Sequence, residues 1–416
     1  MKKRVLLISQ NFYPEIGSAA NRMKNIYKFL KQNGYDVEVI TTEPSYPNKK
    51  IYTEERFWDD DLINVDEMNK IYRISVKTKK YSRTIFNRLF YYIEISLKIL
   101  LFILKSKKTF DVIFVTSPAI FIGIVGLIAK YRFKSKLLLD IRDLWPESLK
   151  GVGVLDNTII IKVFNKIERM LYKNANRIIV NSKGFITHIS SSADIPTNLI
   201  SYIPNGAIED ELTTSNVDKG FNVIYAGNIG LAQDAEMILK LAEELNKKNI
   251  NLNIIGYGMK AYELKQYVKE NKMKNVLFFN PLTRNECLKI ISKSQVGIVT
   301  LNDKQVFETV LPGKIIDYMT RGVPIVGSVS GFSKKLIEDT ESGFVVNEKN
   351  VDEMIKKIEI LHDNSNLRSK MSSNGRKAVR ENFMWENNIK ILIKILEEEL
   401  NLTSNPINKS DKVESL

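Results

Sequence analysis

The strongest constraint on this chain is an alternation that runs through it twice. Near-continuous apolar runs, KRVLLIS, DVEVITT, DVIFVTS, KLLLDIR, RIIVNS and ISYIPN, are separated by helix-length segments in the first half. The second half repeats the style with FNVIYAG, LNIIGYG, VLFFN, VGIVTL, VPIVG and GFVVN. A strand that is apolar on both faces must be covered on both, and helices crossing between parallel neighbours do that. Two such sets in series predict two doubly wound α/β domains, and 416 residues are too many for one ordinary core. The first domain is expected over 1–205 and the second over 206–382, divided at the polar, turn-rich stretch NGAIEDELTTSNVDKG. A further helix is expected over 383–402, and the polar tail 403–416 reads as disordered.

Charge is the next constraint, because it is not spread evenly. Of a formal +14, most arises between Asn69 and Lys108, where eleven basic residues from Lys70 onward meet one acid, Glu94. Inside that block lies TIFNRLFYYIEISLKILLFILKSKK, apolar and aromatic, with Glu94 and Lys98 at helical spacing. A basic amphipathic helix of this kind predicts contact with an anionic membrane surface over 69–108. Nucleic acid is not expected as a partner, since there is no zinc-ligand spacing, basic recognition helix or RNA-binding signature. No apolar run is long enough to span a bilayer, and MKKRVLLISQ reads as a first strand and not as a signal peptide. A single cysteine, Cys287, cannot form an internal disulfide, which fits a reducing cytoplasm.

Ligands of doubly wound sheets bind beyond the carboxyl ends of the strands. Four loops there carry suggestive residues: Gly17 and Ser18 after the first strand, IRDLWPES after KLLLD, NIGLAQ after FNVIYAG, and LPGKIID after VGIVTL. Two come from each domain, so they predict a cleft between the domains. In the last of them Pro312, Gly313 and Lys314 open a short helix, and a helix N-terminus beside a lysine holds phosphate well. Asp317, one turn further in, could reach a sugar hydroxyl. No GxGxxG follows the first strand, which argues against a dehydrogenase. The two histidines, His188 and His362, fall outside these loops and read as surface helix residues.

Taken together, FYPEIGSAANR, GYDVEVITTEPSYP, IPNGAIED, YAGNIGLAQ and LPGKIIDYMTRGVPIVG resemble the family 4 glycosyltransferases, retaining enzymes of the GT-B architecture. DIRDLWPES, with YAGNIGLAQ and LPGKIIDYMTRGVPIVG, resembles a subgroup that moves N-acetylated deoxyamino sugars in capsule or O-antigen assembly. The resemblance implies a UDP-amino sugar donor, a polyprenyl-diphosphate-linked saccharide acceptor on the inner face of the membrane, and no metal or other cofactor. NGRKAVRENFMWE resembles the segment where the family's chain crosses back to the first domain. By the same resemblance Gly227, Asn228, Gly230 and Gln233 border the donor diphosphate, Gly256 lies near the base, and Gly17 and Ser18 shape the reacting centre. Lys314 would neutralise the leaving diphosphate with the N–H groups of Gly313, and Asp317 would hold the ribose. Arg142 stands where many members have a histidine, and Asp143 beside it would handle the acceptor proton or the donor sugar. Glu308 is the nearest acid to the first of the family's paired glutamates, although eight residues separate it from Asp317 where the family has seven. A GT-B epimerase and a non-catalytic GT-B scaffold are the alternatives, the first disfavoured by the scarcity of histidine.

Overall fold

Both sets of apolar runs form parallel sheets. The computed structural model describes residues 2–78, 85–117, 120–153, 156–212, 220–347 and 349–401. The tail 403–416 and residues Lys79, Lys80 and Arg83 of the basic block lie outside these.

The first sheet contains β1 (Arg4–Ile8), β2 (Asp36–Thr42), β3 (Ile71–Ile74), β4 (Val112–Ser117), β5 (Lys136–Ile141), β6 (Arg177–Val180) and β7 (Ile200–Tyr202). Its helices are α1 (Ser18–Gln32), α2 (Asp61–Asn64), α3 (Ile85–Lys105), α4 (Ile120–Phe133), α5 (Glu147–Gly151), α6 (Thr158–Asn174) and α7 (Gly184–Ala193). The second sheet contains β8 (Asn222–Asn228), β9 (Asn251–Tyr257), β10 (Val276–Phe278), β11 (Val296–Thr300), β12 (Ile325–Ser328) and β13 (Gly343–Val345). It carries α8 (Ala235–Lys247), α9 (Ala261–Glu270), α10 (Arg284–Ser292), α11 (Gly313–Thr320), α12 (Gly331–Asp339), α13 (Val351–Asp363) and α14 (Ser365–Asn382), and α15 (Trp385–Asn401) ends the described chain.

The strand orders are β3-β2-β1-β4-β5-β6-β7 and β10-β9-β8-β11-β12-β13. In each the direction of winding reverses beside the first strand, between β1 and β4 and between β8 and β11. Crevices open at such reversals, beyond the carboxyl ends of the strands. The loops that leave β1, β8 and β11 are therefore the ones the fold brings to the cleft.

Three sets of contacts hold those loops. Arg22 of α1 pairs with Asp140 of β5 at 2.7 Å, both side chains fully buried, and donates to the Ile203 carbonyl at 2.9 Å. This fixes the helix that Gly17 opens. Tyr318 of α11 packs flat on Gly297 of β11, where any Cβ would meet its ring at 2.5 Å. Its hydroxyl accepts from Ala226 N–H at 2.8 Å, which locks α11 to β8. Finally, Ala207 N–H donates to the Phe383 carbonyl and Trp385 N–H to the Ala207 carbonyl, both at 2.9 Å. That crossing turns α15 back onto the first domain, where Trp385, Ile389, Leu392 and Leu396 share a core with Val5, Met23 and Tyr27.

The basic block is less uniform than its sequence suggests. Its start is an edge strand, β3, paired in parallel with β2, and only from Ile85 does a helix run. Lys70 pairs with Asp36, Arg73 with Glu67, Lys98 with Glu94 and Lys108 with Glu38. Four of the eleven cations of the block are thus paired within the fold.

Candidate active site in the interdomain cleft

A cavity of about 320 Å³ lies between the domains, in the size range of small-molecule sites. Gly17, Ser18, Gly227, Asn228, Gln233, Pro312, Gly313, Lys314 and Asp317 all line it. Gly17 has φ +116, a conformation that glycine adopts readily and other residues resist, and its α-carbon faces the Tyr257 hydroxyl. Ser18 Oγ accepts from Asn205 Nδ2 of the linker at 3.0 Å. Gly227, at φ +122, opens the space that Lys314 fills: a Cβ there would lie 3.5 Å from Cε and 3.7 Å from Nζ.

Lys314 is the most telling side chain. Its Nζ exposes less than 1 Å² and has no hydrogen-bond partner among the described residues. It rests on the Tyr225 ring, 3.7 Å from the centroid. Burial pushes the ammonium down to about 7, against the opposing pull of Asp317. A buried cation with no partner is costly, and a bound anion would relieve that cost.

Asp317 is held by Arg284, whose Nη1 donates to Oδ1 at 3.1 Å, while Nη2 donates to Glu211 Oε2 at 2.9 Å and Nε also reaches Glu211. Burial pushes the Asp317 carboxyl up, with Arg284 pulling down and Glu211 adding to the rise. The Arg284 guanidinium is pushed further up because two carboxylates outweigh its burial. Sequence reasoning did not nominate Arg284, yet it lines the cavity. The signal was the capping box of TRNE: Thr283 caps Glu286 N–H, and Glu286 caps Thr283 N–H at 2.8 Å. Read as a helix start, it puts Arg284 at the first helical position.

Gly230 and Gly256 do not line the cavity but shape the loop that does. Gly230 N–H donates to Gln233 Oε1 at 2.9 Å, and Gly256 pairs in register with Gly227 where a Cβ would strike Ile229. The first domain also reaches across, through a segment not nominated from sequence. Tyr46 donates to Asn228 Oδ1 at 2.6 Å and stacks edge-on against Tyr257, and Arg56 makes a two-point pair with Glu286 at 2.8 and 2.9 Å.

Three further nominated residues stand outside the cavity lining. Arg142 and Asp143 follow β5 and precede α5, whose N-cap is Pro146. Burial pushes the Asp143 carboxyl up to about 6, against the pull of Ser148, the Leu144 N–H and Arg142. Glu308 is exposed on a one-turn helix, Gln305–Thr309, whose backbone is pressed against Gly331. His188 also departs from expectation: its Nε2 is buried, not at the surface.

Known proteins place this geometry. The family model "Glycosyl transferases group 1" matches residues 209–378, and "Glycosyltransferase Family 4" matches 19–211, one for each domain. The chain belongs to the GT-B glycosyltransferases. It is 22% identical to an uncharacterised glycosyltransferase of Methanocaldococcus jannaschii, over 96% of this chain and all of the other. It is 20% identical to WcaI of Escherichia coli, named for colanic acid biosynthesis, over 77% of this chain and 81% of WcaI. Among solved structures, HepE of Anabaena in complex with UDP and glucose superposes with a TM-score of 0.69 at 15% identity, covering 95% of this chain and all of HepE. At that identity the likeness is one of fold.

Proposed function

We propose that this glycosyltransferase moves an N-acetylated deoxyamino sugar from a UDP donor to a polyprenyl-diphosphate-linked saccharide, with anomeric configuration retained. The observation that carries the reading is the unpartnered Lys314 ammonium at the N-terminus of α11, facing Gly227. Negative charge grows on the diphosphate as the sugar leaves, and preorganised donors at that oxygen lower the barrier most. Lys314 and the first N–H groups of α11 supply them, and Arg284 holds Asp317 ready for the ribose. Arg142, Asp143 and Glu308 stand back from the cavity, and Glu15, the acid of the first loop, already accepts from Ser45 and Tyr46 N–H. The acceptor proton is therefore assigned to the departing phosphate oxygen. UDP as nucleotide is supported by the HepE complex, polysaccharide assembly by the likeness to WcaI, and the amino sugar by DIRDLWPES.

The acceptor's lipid calls for a membrane-facing surface, and α3 supplies one. Phe90, Ile93, Leu97, Leu101 and Leu104 lie exposed at helical spacing, the leucines half or more exposed. α4 packs beside α3, and α6 beyond it exposes Ile159, Ile160 and Val163. No helix among the described residues is long and apolar enough to cross a membrane, so α3 is read as lying on it.

Calorimetry with UDP and a panel of UDP-amino sugars, with and without chelator, tests the donor site. Transfer to a lipid-diphosphate saccharide tests the reaction. UDP affinity lost in Lys314→Met and weakened in Asp317→Asn is expected; no UDP binding by the wild-type protein would refute the donor assignment, and binding without transfer would favour a scaffold.

A further inference from the structure

A second polar cluster lies away from the cleft, and nothing in the sugar-transfer chemistry uses it. Glu147 of α5, Glu168 of α6 and His188 of α7 each present a ligand atom, and the three atoms lie within 4.8 Å of one another. None of the three residues lines the interdomain cavity. We propose that they form a site for a divalent transition-metal cation, distinct from the transfer site and structural in role.

The geometry and the state of the donor atoms carry this. His188 Nε2 and Glu147 Oε2 each expose less than 1 Å² and have no hydrogen-bond partner among the described residues. An imidazole nitrogen and a carboxylate oxygen, both shielded from water and both within 4.8 Å of a second carboxylate, are left unsatisfied unless something binds between them. Glu168 is only 8% exposed, and one of its oxygens accepts from the Tyr172 hydroxyl at 2.5 Å. That is the outer hydrogen bond that orients a metal-ligating carboxylate. Neither glutamate makes a close ion pair among the described residues, although the charge of Arg169 acts on Glu168 from further off.

Two carboxylates and one imidazole, without sulfur, suit Zn²⁺, Co²⁺ or Mn²⁺ and not a soft ion such as Cu⁺. The three ligands come from three helices. A cation would tie α5 to α6 and α7, and α5 is the helix that leans on the second domain, with Gly151 against Val306. The site would therefore brace one side of the seam between domains without touching substrate.

The test uses the tag-free full-length chain, stripped with chelator and dialysed. Zn²⁺ is titrated by calorimetry, and Co²⁺ by its visible absorption, into wild type, His188→Gln, Glu168→Gln and Glu147→Gln, with circular dichroism confirming that each variant is folded. One ion per wild-type chain is expected, with Zn²⁺ affinity falling at least about tenfold in every folded variant and a Co²⁺ spectrum lost with His188. Zinc should also raise the melting temperature of the wild type and not that of His188→Gln. The proposal is overturned if wild type binds no ion stoichiometrically, or if the folded variants bind as wild type does, which would put the ion elsewhere.

Discussion

Donor binding should draw a proton from solution. In the free protein the Lys314 ammonium is held down to about 7 by burial, from an ordinary 10.5. A diphosphate beside it removes that disadvantage and restores the proton. At about 1.36 kcal/mol per pKa unit, the depression corresponds to roughly 5 kcal/mol that anion binding can recover. At pH 8 the free protein carries this proton about one time in ten, and the complex almost always. Each donor bound should therefore take up roughly 0.9 proton at pH 8, and about 0.1 at pH 6. UDP-N-acetylglucosamine is the probe, because its diphosphate has no ionisation near neutrality. Calorimetry in two buffers of different ionisation enthalpy gives the proton count directly. Affinity should fall as pH rises through 7, because binding selects the protonated form. Without donor the sign reverses for stability: between about 7 and 10.5 unfolded Lys314 holds a proton that the folded chain has lost, so folding stability should rise with pH across that window. Uptake below about 0.3 at pH 8, or equal uptake in Lys314→Met, would refute the placement of the diphosphate on this lysine.

Other consequences are independent of that proton. Arg22→Met leaves Asp140 charged and fully buried, and should cost about 3–5 kcal/mol in denaturant unfolding. Gly227→Ala combines φ +122 with a Cβ against Lys314, so donor affinity should fall by tenfold or more while the melting temperature drops only a few degrees, read by calorimetry and a thermal melt. Arg56→Ala breaks an exposed pair with Glu286 and should cost no more than about 1 kcal/mol of stability. The double change Leu97→Asp with Leu101→Asp, both on the exposed face of α3, should abolish binding to anionic vesicles while leaving UDP affinity and stability unchanged.

How much of this could be read from residues alone depends on what kind of force was involved. The sheets were legible because burial on two faces leaves a local mark: VIFVTS and VGIVT are mostly apolar and carry no charge, and both are buried throughout. β3 left no such mark. Its IYRI is a short edge strand with one fully buried residue, set among charges, of which Lys70 pairs with Asp36 on the neighbouring strand and Arg73 with Glu67. The glycine loops and the helix at Gly313 were legible for the same reason as the strands, since a turn or a helix start is a local event.

Burial of charge is not local, and that is where sequence reading and structure part. Lys314 could be nominated as a cation at a helix N-terminus, but its lack of a partner arises from Tyr225, 89 positions earlier, filling the space where water would be. Arg284 could be placed at a helix start, but not in the cleft, because Glu211 and Asp317 converge on it from different parts of the chain. Asp143 shows the converse: a sequence position that suits chemistry, in a loop that the fold keeps off the cavity lining. His188 and Glu168 are twenty residues apart on separate helices, and only the packing of α6 on α7 brings them to one point. The cleft and the buried cluster thus share one origin: each is a place where packing strips water from charged or ligating atoms without supplying every one with a partner. In the cleft the atom left over is a cation and asks for an anion. In the cluster the atoms left over are lone pairs, and by the same logic they ask for a cation.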